Sequence, residues 1–175
     1  MTTSIEEMQN HLETLAAKLS CVMIQESNME GMMYVEEEPS RIETPKLEYG
    51  VFGGTYRYTP RIAYMVGLHE LGHVYHGHTQ GRPPYQAKKY YFDNGVFKSE
   101  AEAWQFALEN SIIEFEKEEL AFGLRCFDSY LRGYKNKTKT QYLWNGNRHW
   151  VGFLPDPITP FIESVRKDLG AKAPL

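Results

Sequence analysis

Residues 58–79 read YTPRIAYMVGLHELGHVYHGHT, and this stretch predicts both a central helix and a metal site. It contains His69-Glu70-Leu71-Gly72-His73, an HExxH sequence. On an α-helix, His69 and His73 lie on one face, one turn apart, where two imidazole nitrogens can hold one zinc ion. Glu70 can then reach a metal-bound water without ligating the metal, and its carboxylate can take the proton as the water attacks a carbonyl.

The residues around the HExxH sequence predict a buried α-helix. Thr59 suits the N-cap and Pro60 suits the first helical position, where a missing N–H costs nothing. Gly77 is predicted to end the helix. A helix that is apolar over most of its surface is typical of a protein core, and the apolar residues here are Ile62, Ala63, Met65, Val66, Leu68 and Leu71. Both histidines are therefore expected on a rigid, buried element.

The HExxH sequence supplies two ligands, whereas a catalytic zinc site takes three protein ligands and a water. The extended metzincin pattern would need glycine at position 76 and histidine at position 79, but the chain has His76 and Thr79. A glutamate from a second helix is the other solution. Residues 99–107, SEAEAWQFA, predict that helix, with the leading serine as N-cap, and they offer Glu100 or Glu102. The two glutamates lie about 200° apart around a helix, so only one of them can face the metal.

The two motifs together, HELGH and then a helix that reads E-x-E-A-x-x-F-A, resemble the ImmA/IrrE family of small gluzincin metallopeptidases. The pattern in that family is HExxH followed by E-x-x-A-N-x-F-A, with the first glutamate as the third ligand. The resemblance implies that His69, His73 and Glu100 bind the metal and that Glu70 is the general base. Trp104 stands where the family has asparagine, a residue that often orients a ligating histidine.

The composition is that of a globular protein, because 42% of the 175 residues are hydrophobic and 14% are aromatic. One zincin-like domain is predicted over 1–175, with its core at about 45–120 and an aromatic-rich C-terminal elaboration at 121–175. A net charge of −4 gives no general attraction to nucleic acid or to an anionic membrane. The N-terminal sequence predicts neither a signal peptide nor a membrane span, so a cytoplasmic protein is expected. Cys21 and Cys126 are predicted to be free, buried thiols.

The segments around the central helix predict an α+β fold: an N-terminal helix, a small twisted sheet, the HExxH helix and the glutamate-bearing helix. The N-terminal helix, with a capping box at Ser4 to Glu7, is expected to leave His11 solvated. Strands are predicted at 21–24 and 31–35, and hairpins at 47–58 around Gly53-Gly54 and at 142–153 around Asn145-Gly146. Residues 55–58 are the candidate edge strand for binding an extended peptide.

Further predictions concern the chain after the HExxH helix. The glutamate-bearing helix is expected to run from about Ser99 to Glu116 or further, and a closing helix is expected over 158–169. A solvated acidic face is predicted to hold Glu109, Glu114, Glu116, Glu118 and Glu119. A tyrosine from the loop at 82–94 is one possible oxyanion donor, and the choice among Tyr85, Tyr90 and Tyr91 stays open. His76 and His78 are expected to complement the dipole at the helix end, and a substitute ligand or a hydrogen-bond donor in the transition state are the alternatives.

The leading hypothesis is a zinc-dependent metallopeptidase that holds one zinc ion per chain and cleaves a protein or peptide in the cytosol. A catalytically silent, zinc-containing binding or regulatory module is the alternative from another class. Hydrolysis of a non-peptide amide is a third hypothesis, because the chemistry at the metal is the same. Two imidazoles and a carboxylate suit zinc best and also accept Mn²⁺, Fe²⁺ or Ni²⁺.

Overall fold

The computed structural model of the chain describes residues 3–28, 33–35, 40–52, 56–77, 95–123, 126, 142–144 and 147–149. These residues form a mixture of helices and short strands, which confirms the predicted combination of the two. The helices are α1 (Ile5–Lys18), α2 (Pro60–Tyr75) and α3 (Gly95–Glu109), and residues 117–123 are also helical. The strands are β1 (Val22–Glu26), β2 (Met33–Val35), β3 (Arg41–Pro45), β4 (Gly50–Phe52), β5 (Tyr56–Tyr58), β6 (Tyr142–Trp144) and β7 (Asn147–His149).

Within the described part of the chain, the strands form three small sheets. The first has β3 at its centre, with β1 parallel on one side and β2 antiparallel on the other. The two predicted hairpins are confirmed as the antiparallel pairs β4–β5 and β6–β7. The sequence analysis predicts no strand at β3, although Ile42 and Thr44 are completely buried there. Two inward residues in a segment that ends at a proline are too few to show a strand period.

The helix α1 begins at the predicted capping box. The backbone N–H of Glu7 donates to Ser4 Oγ at 3.1 Å, and the backbone N–H of Ser4 donates to Glu7 Oε2 at 2.6 Å. Its apolar stripe packs into the core through Met8, Leu12 and Ala16. The Leu12 side chain lies directly against Gly67 of α2, so α1 covers one face of the central helix.

The helix α2 begins and ends where the sequence predicts. Thr59 is the N-cap, and its side chain accepts a hydrogen bond from the backbone N–H of Ile62 at 3.2 Å. The last turn closes at His76, and Gly77 follows with a φ of +65°, a conformation that glycine adopts at little cost. Every residue from 62 to 73 is buried. The HExxH sequence therefore lies on the most deeply buried helix of the described residues.

A buried tyrosine joins α2 to α1 and to the segment after α3. The Tyr64 hydroxyl is hydrogen-bonded to Nδ1 of His11 at 2.7 Å and accepts the backbone N–H of Ile112 at 3.1 Å. The prediction that His11 is solvated is therefore wrong, because its ring is half-buried against Tyr64. Burial and the positive charge of Lys18 lower the pKa of His11. The lowered pKa favours the neutral imidazole, whose unprotonated nitrogen can accept a hydrogen bond from the Tyr64 hydroxyl.

The predicted bounds of the glutamate-bearing helix are wrong at both ends. The helix α3 begins at Gly95, so Ser99 lies inside it and is not its N-cap. It ends at Glu109, and the side chain of Asn110 then donates to the same carbonyl of Phe106 that accepts the last helical N–H, that of Asn110. The Ser111 hydroxyl then accepts the backbone N–H of Ile113 at 3.2 Å and donates to the carbonyl of Ile113 at 2.7 Å. Short polar side chains offer the backbone such alternatives to a helix, and here they stop it before Glu116.

Glu119 is also an exception to the predicted acidic face. Glu109, Glu114, Glu116 and Glu118 are exposed as predicted, whereas Glu119 is buried. Its carboxylate pairs with the guanidinium of Arg61 at 3.2 Å and accepts the backbone N–H of Glu116 at 2.6 Å. A buried carboxylate needs such partners, and this one fixes residues 117–123 against the beginning of α2.

The remaining predictions concern the two cysteines, membrane-spanning helices, and segments that the structure does not describe. Cys21 is buried and Cys126 is half-buried, and both are free thiols. None of the helices that the structure describes combines the length and the apolar character needed to traverse a lipid bilayer. The closing helix at 158–169 and the loop at 82–94, with its three tyrosines, lie outside the described residues.

Replacement of Tyr64 by phenylalanine should destabilise the fold by about 1–3 kcal/mol, since it removes a buried hydroxyl that is hydrogen-bonded to both His11 and the backbone N–H of Ile112. The free energy of unfolding in urea would measure this loss. Tyr49→Phe is the matched control, because Tyr49 is 81% exposed and should change little. Equal stability of the two variants would contradict the role of Tyr64.

Candidate metal centre

The two histidines of α2 bring their ring nitrogens together inside the protein. The Nε2 atoms of His69 and His73 lie 3.1 Å apart, and their rings meet edge to face with centroids 4.6 Å apart. His69 is 6% exposed and His73 is completely buried. The four-residue spacing on a helix thus produces the one-sided pair that the sequence predicts.

The helix α3 adds the carboxylate of Glu100 to this pair. Glu100 Oε2 lies 3.4 Å from Nε2 of His69, and Glu100 Oε1 lies 3.6 Å from Nε2 of His73. One potential ligand atom of each residue lies within 4.8 Å of the others. His69, His73 and Glu100 therefore form a buried group that could hold a metal ion, and we call this group the HHE cluster.

The spacing of the HHE cluster suits a small, four-coordinate ion. Tetrahedral bonds of about 2.0–2.1 Å place neighbouring ligand atoms about 3.3 Å apart. The imidazole nitrogens lie 3.1 Å apart, and the two different oxygens of Glu100 lie 3.4 and 3.6 Å from them, which is close to that value. Imidazole nitrogen and carboxylate oxygen are also donors that zinc accepts. The residues of the cluster thus offer suitable donors for a zinc ion, at separations that a metal ion could bridge.

Glu70 lies beside the HHE cluster without belonging to it. Its Oε1 atom is 3.8 Å from Nε2 of His69, and the residue is 5% exposed. Burial, and secondly the nearby carboxylate of Glu100, raises the pKa of Glu70 to about 8. A divalent cation in the cluster would favour the ionised carboxylate, because opposite charges at short range lower a carboxyl pKa.

A close approach of two helices positions Glu100. At Gly72, an added Cβ would lie 2.8 Å from the backbone oxygen of Ala103 and 2.9 Å from its Cα. The contact therefore needs a glycine on α2, and Ala103 and Ala107 supply small, completely buried residues on α3. With no side chain between them, the two backbones come near enough for Glu100 to reach both imidazoles.

An aromatic side chain completes the surroundings of His69. The Trp104 indole stacks on the His69 imidazole, with ring centroids 4.1 Å apart and planes inclined by 30°. Trp104 is 2% exposed and lies four residues after Glu100, so both point to the same side of α3. In the sequence, Trp104 stands out only as a departure from the pattern of the resembling family. Its position one helical turn after Glu100 is the sequence feature that could have predicted the contact with His69.

The other residues considered as ligands or hydrogen-bond donors either lie away from the HHE cluster or belong to segments that the structure does not describe. Glu102, the rival ligand, is half-buried and lines a separate cleft with Tyr75, His76 and Phe106. His76 itself is exposed at the end of α2, with its ring against that of Tyr75. His78 and the three loop tyrosines are not among the described residues. Of the two glutamates, the structure therefore places Glu100 beside the histidines.

No model of a known protein family matches the chain, and no curated protein or solved structure matches it significantly. The resemblance to the ImmA/IrrE family therefore rests on the residues of the two motifs.

Gly72→Ala should destabilise the protein by about 1–3 kcal/mol, because the new methyl group meets backbone atoms that cannot turn aside. This cost should exceed the gain of about 1 kcal/mol that alanine brings to a helix. Gly67→Ala is the matched control on the same helix, since its methyl group meets only the flexible end of Leu12, at 2.9 Å. Urea unfolding in the presence of a chelator would compare them. A Gly72→Ala variant as stable as Gly67→Ala would refute the close contact.

Glu100→Ala should abolish stoichiometric zinc binding, whereas Glu102→Ala should retain it, because only Glu100 lies against the imidazoles. Metal content measured by mass spectrometry, after purification without chelators and dialysis against zinc, would check this. The expected result is about one zinc ion per chain in the wild type. Loss of zinc in Glu102→Ala with retention in Glu100→Ala would reverse the assignment.

Proposed function

We propose that the chain is a zinc-dependent metallopeptidase that hydrolyses peptide bonds of a cytosolic protein or peptide. The observation that carries this proposal is the position of Glu70, whose carboxylate lies next to three zinc-compatible ligands and is not one of them. A purely structural zinc site usually takes four protein ligands and needs no further carboxylate. Here a second carboxylate, that of Glu70, is buried beside the cluster, 3.8 Å from Nε2 of His69.

His69, His73 and Glu100 would hold the metal through Nε2, Nε2 and a carboxylate oxygen. A zinc ion bound there would polarise the scissile carbonyl and make a water molecule more acidic. Because two imidazoles are neutral and Glu100 is an anion, such a site keeps a net positive charge that can stabilise a developing oxyanion.

Glu70 would move the proton in this reaction. Its carboxylate takes a proton from the attacking water, whose oxygen bonds to the carbonyl carbon. The same carboxyl group then gives the proton to the amide nitrogen as the carbon–nitrogen bond breaks, so that water and peptide become a carboxylic acid and an amine. Burial favours the protonated form of Glu70, and a cation favours the ionised form. A group balanced in this way can both accept and return a proton.

The strand β5 remains the candidate for holding the substrate. It ends at Tyr58 and is followed at once by Thr59, the N-cap of α2. The backbone of a strand in this place could pair with an extended peptide, which is the mode expected from the resemblance to zincins. The class of substrate, peptide in preference to another amide, comes from that same resemblance.

The depth of the site favours a second candidate function. Glu70 and the residues of the HHE cluster are each no more than 6% exposed, so they are buried from solvent. A zinc-containing binding or regulatory module without turnover would need no open path to the metal. In that case the metal would act on stability alone, because binding energy is linked to folding.

Glu70→Gln should leave the zinc content unchanged and remove peptidase activity, since the amide cannot accept the proton while the three ligands remain. Activity on a library of unstructured peptides, with metal content measured in parallel, would test both parts. Glu118→Gln is the control, because Glu118 is an exposed carboxylate. Turnover by Glu70→Gln at the wild-type rate would exclude this mechanism. Zinc binding without turnover in the wild type would favour the binding module.

A further inference from the structure

The stacking of Trp104 on His69 is the closest ring contact of the HHE cluster with a residue outside it, among the described residues. The separation of the ring centroids, 4.1 Å, and the inclination of 30° describe a stacked pair whose faces are in van der Waals contact. The imidazole therefore cannot tilt toward the indole. At the edge of the same imidazole, the Nε2 atom faces His73 and Glu100.

The indole itself is held by packing. A Cβ atom at Gly123 would lie 3.1 Å from Cζ3 of Trp104 and 3.3 Å from Cε of Met65, so the benzene edge of the indole fits closely against the helical segment 117–123. Within the described part of the chain, the buried indole Nε1 has no hydrogen-bond partner. A buried N–H without an acceptor costs stability. Phenylalanine would avoid that cost, so hydrogen bonding does not explain an indole at this position.

An aromatic face has a specific effect on a metal-binding imidazole. An imidazole that shares its lone pair with a divalent cation becomes electron-poor and acquires cationic character. The negative face of an aromatic ring attracts such a group, and indole does so more strongly than the phenyl ring. The stack on His69 should therefore favour the metal-loaded imidazole over the free one.

We propose that Trp104 is a positioning residue, which fixes the orientation of His69 by stacking and increases the affinity of the HHE cluster for zinc. This inference rests on the zinc site of the proposed function and does not require peptidase activity. It assigns to an aromatic face the task that a hydrogen-bonding partner commonly performs for a ligating histidine.

The test compares zinc affinity among three variants by competition with a chromogenic chelator. Trp104→Leu removes the aromatic face and should weaken zinc binding about 10-fold or more, the usual effect of losing a partner of a ligand. Trp104→Phe keeps a smaller face and should fall between Trp104→Leu and the wild type. Phe106→Leu is the control: Phe106 is a buried aromatic residue on the same helix, but its ring packs in a tilted arrangement against that of Tyr75.

Two readouts separate positioning from a general loss of structure. Stability measured in chelator should fall in both Trp104→Leu and Phe106→Leu, because each loses buried packing, whereas zinc affinity should fall only in the Trp104 variants. Zinc should change the indole fluorescence of the wild type, and this change should disappear in Trp104→Phe, which retains the other two tryptophans, Trp144 and Trp150.

Three outcomes decide the inference. A graded loss of affinity from wild type through Trp104→Phe to Trp104→Leu, with Phe106→Leu unchanged, supports it, whether or not any peptide is cleaved. Affinity of Trp104→Leu equal to that of Phe106→Leu would overturn the inference and leave the proposed function standing. A wild type that takes up no zinc would overturn both.

Discussion

The absence of a side chain at Gly72 is the constraint on which the candidate site depends. A methyl group there would overlap the backbone of Ala103, so the two helices can meet only at a glycine. Their closeness brings a carboxylate from α3 to the imidazoles of α2, at 3.4 and 3.6 Å. Glycine in a helix interior is unfavourable in itself, and the contact that it permits explains its presence.

The HHE cluster and Glu70 place two imidazoles and two carboxylates inside a largely apolar core. Such groups are costly to bury unless they are paired or bind a metal. The stability of the protein and the occupancy of the site should therefore be coupled, since a cation would offset both the burial of Glu70 and its repulsion by Glu100, which together raise the pKa of Glu70. Because of the same coupling, side chains that contact the ligands should also affect metal binding, and Trp104, which stacks on His69, is such a side chain.

The features predicted from sequence are those that local signals determine. The capping box of α1, and the Thr59 cap and Gly77 stop of α2, each depend on residues within one helix. The prediction that Glu119 is solvated is wrong because its partner, Arg61, is distant in sequence, and the tertiary structure brings the two side chains into contact.

Longer-range effects explain the other differences. The end of α3 depends on how Asn110 and Ser111 compete for backbone groups, which a helical period does not show. The helix geometry shows that Glu100 and Glu102 cannot both face the histidines, and the packing of α3 on α2 determines which of them does.

The order of strands in the three-stranded sheet has a consequence for biosynthesis. In that sheet β1 and β2 each pair with β3, which is the last of the three to leave the ribosome. A nascent chain that stops before residue 41 therefore has two strands and no ladder to join them. Once β3 has emerged, it supplies an edge for each neighbour, so this sheet cannot be completed before its central strand is available.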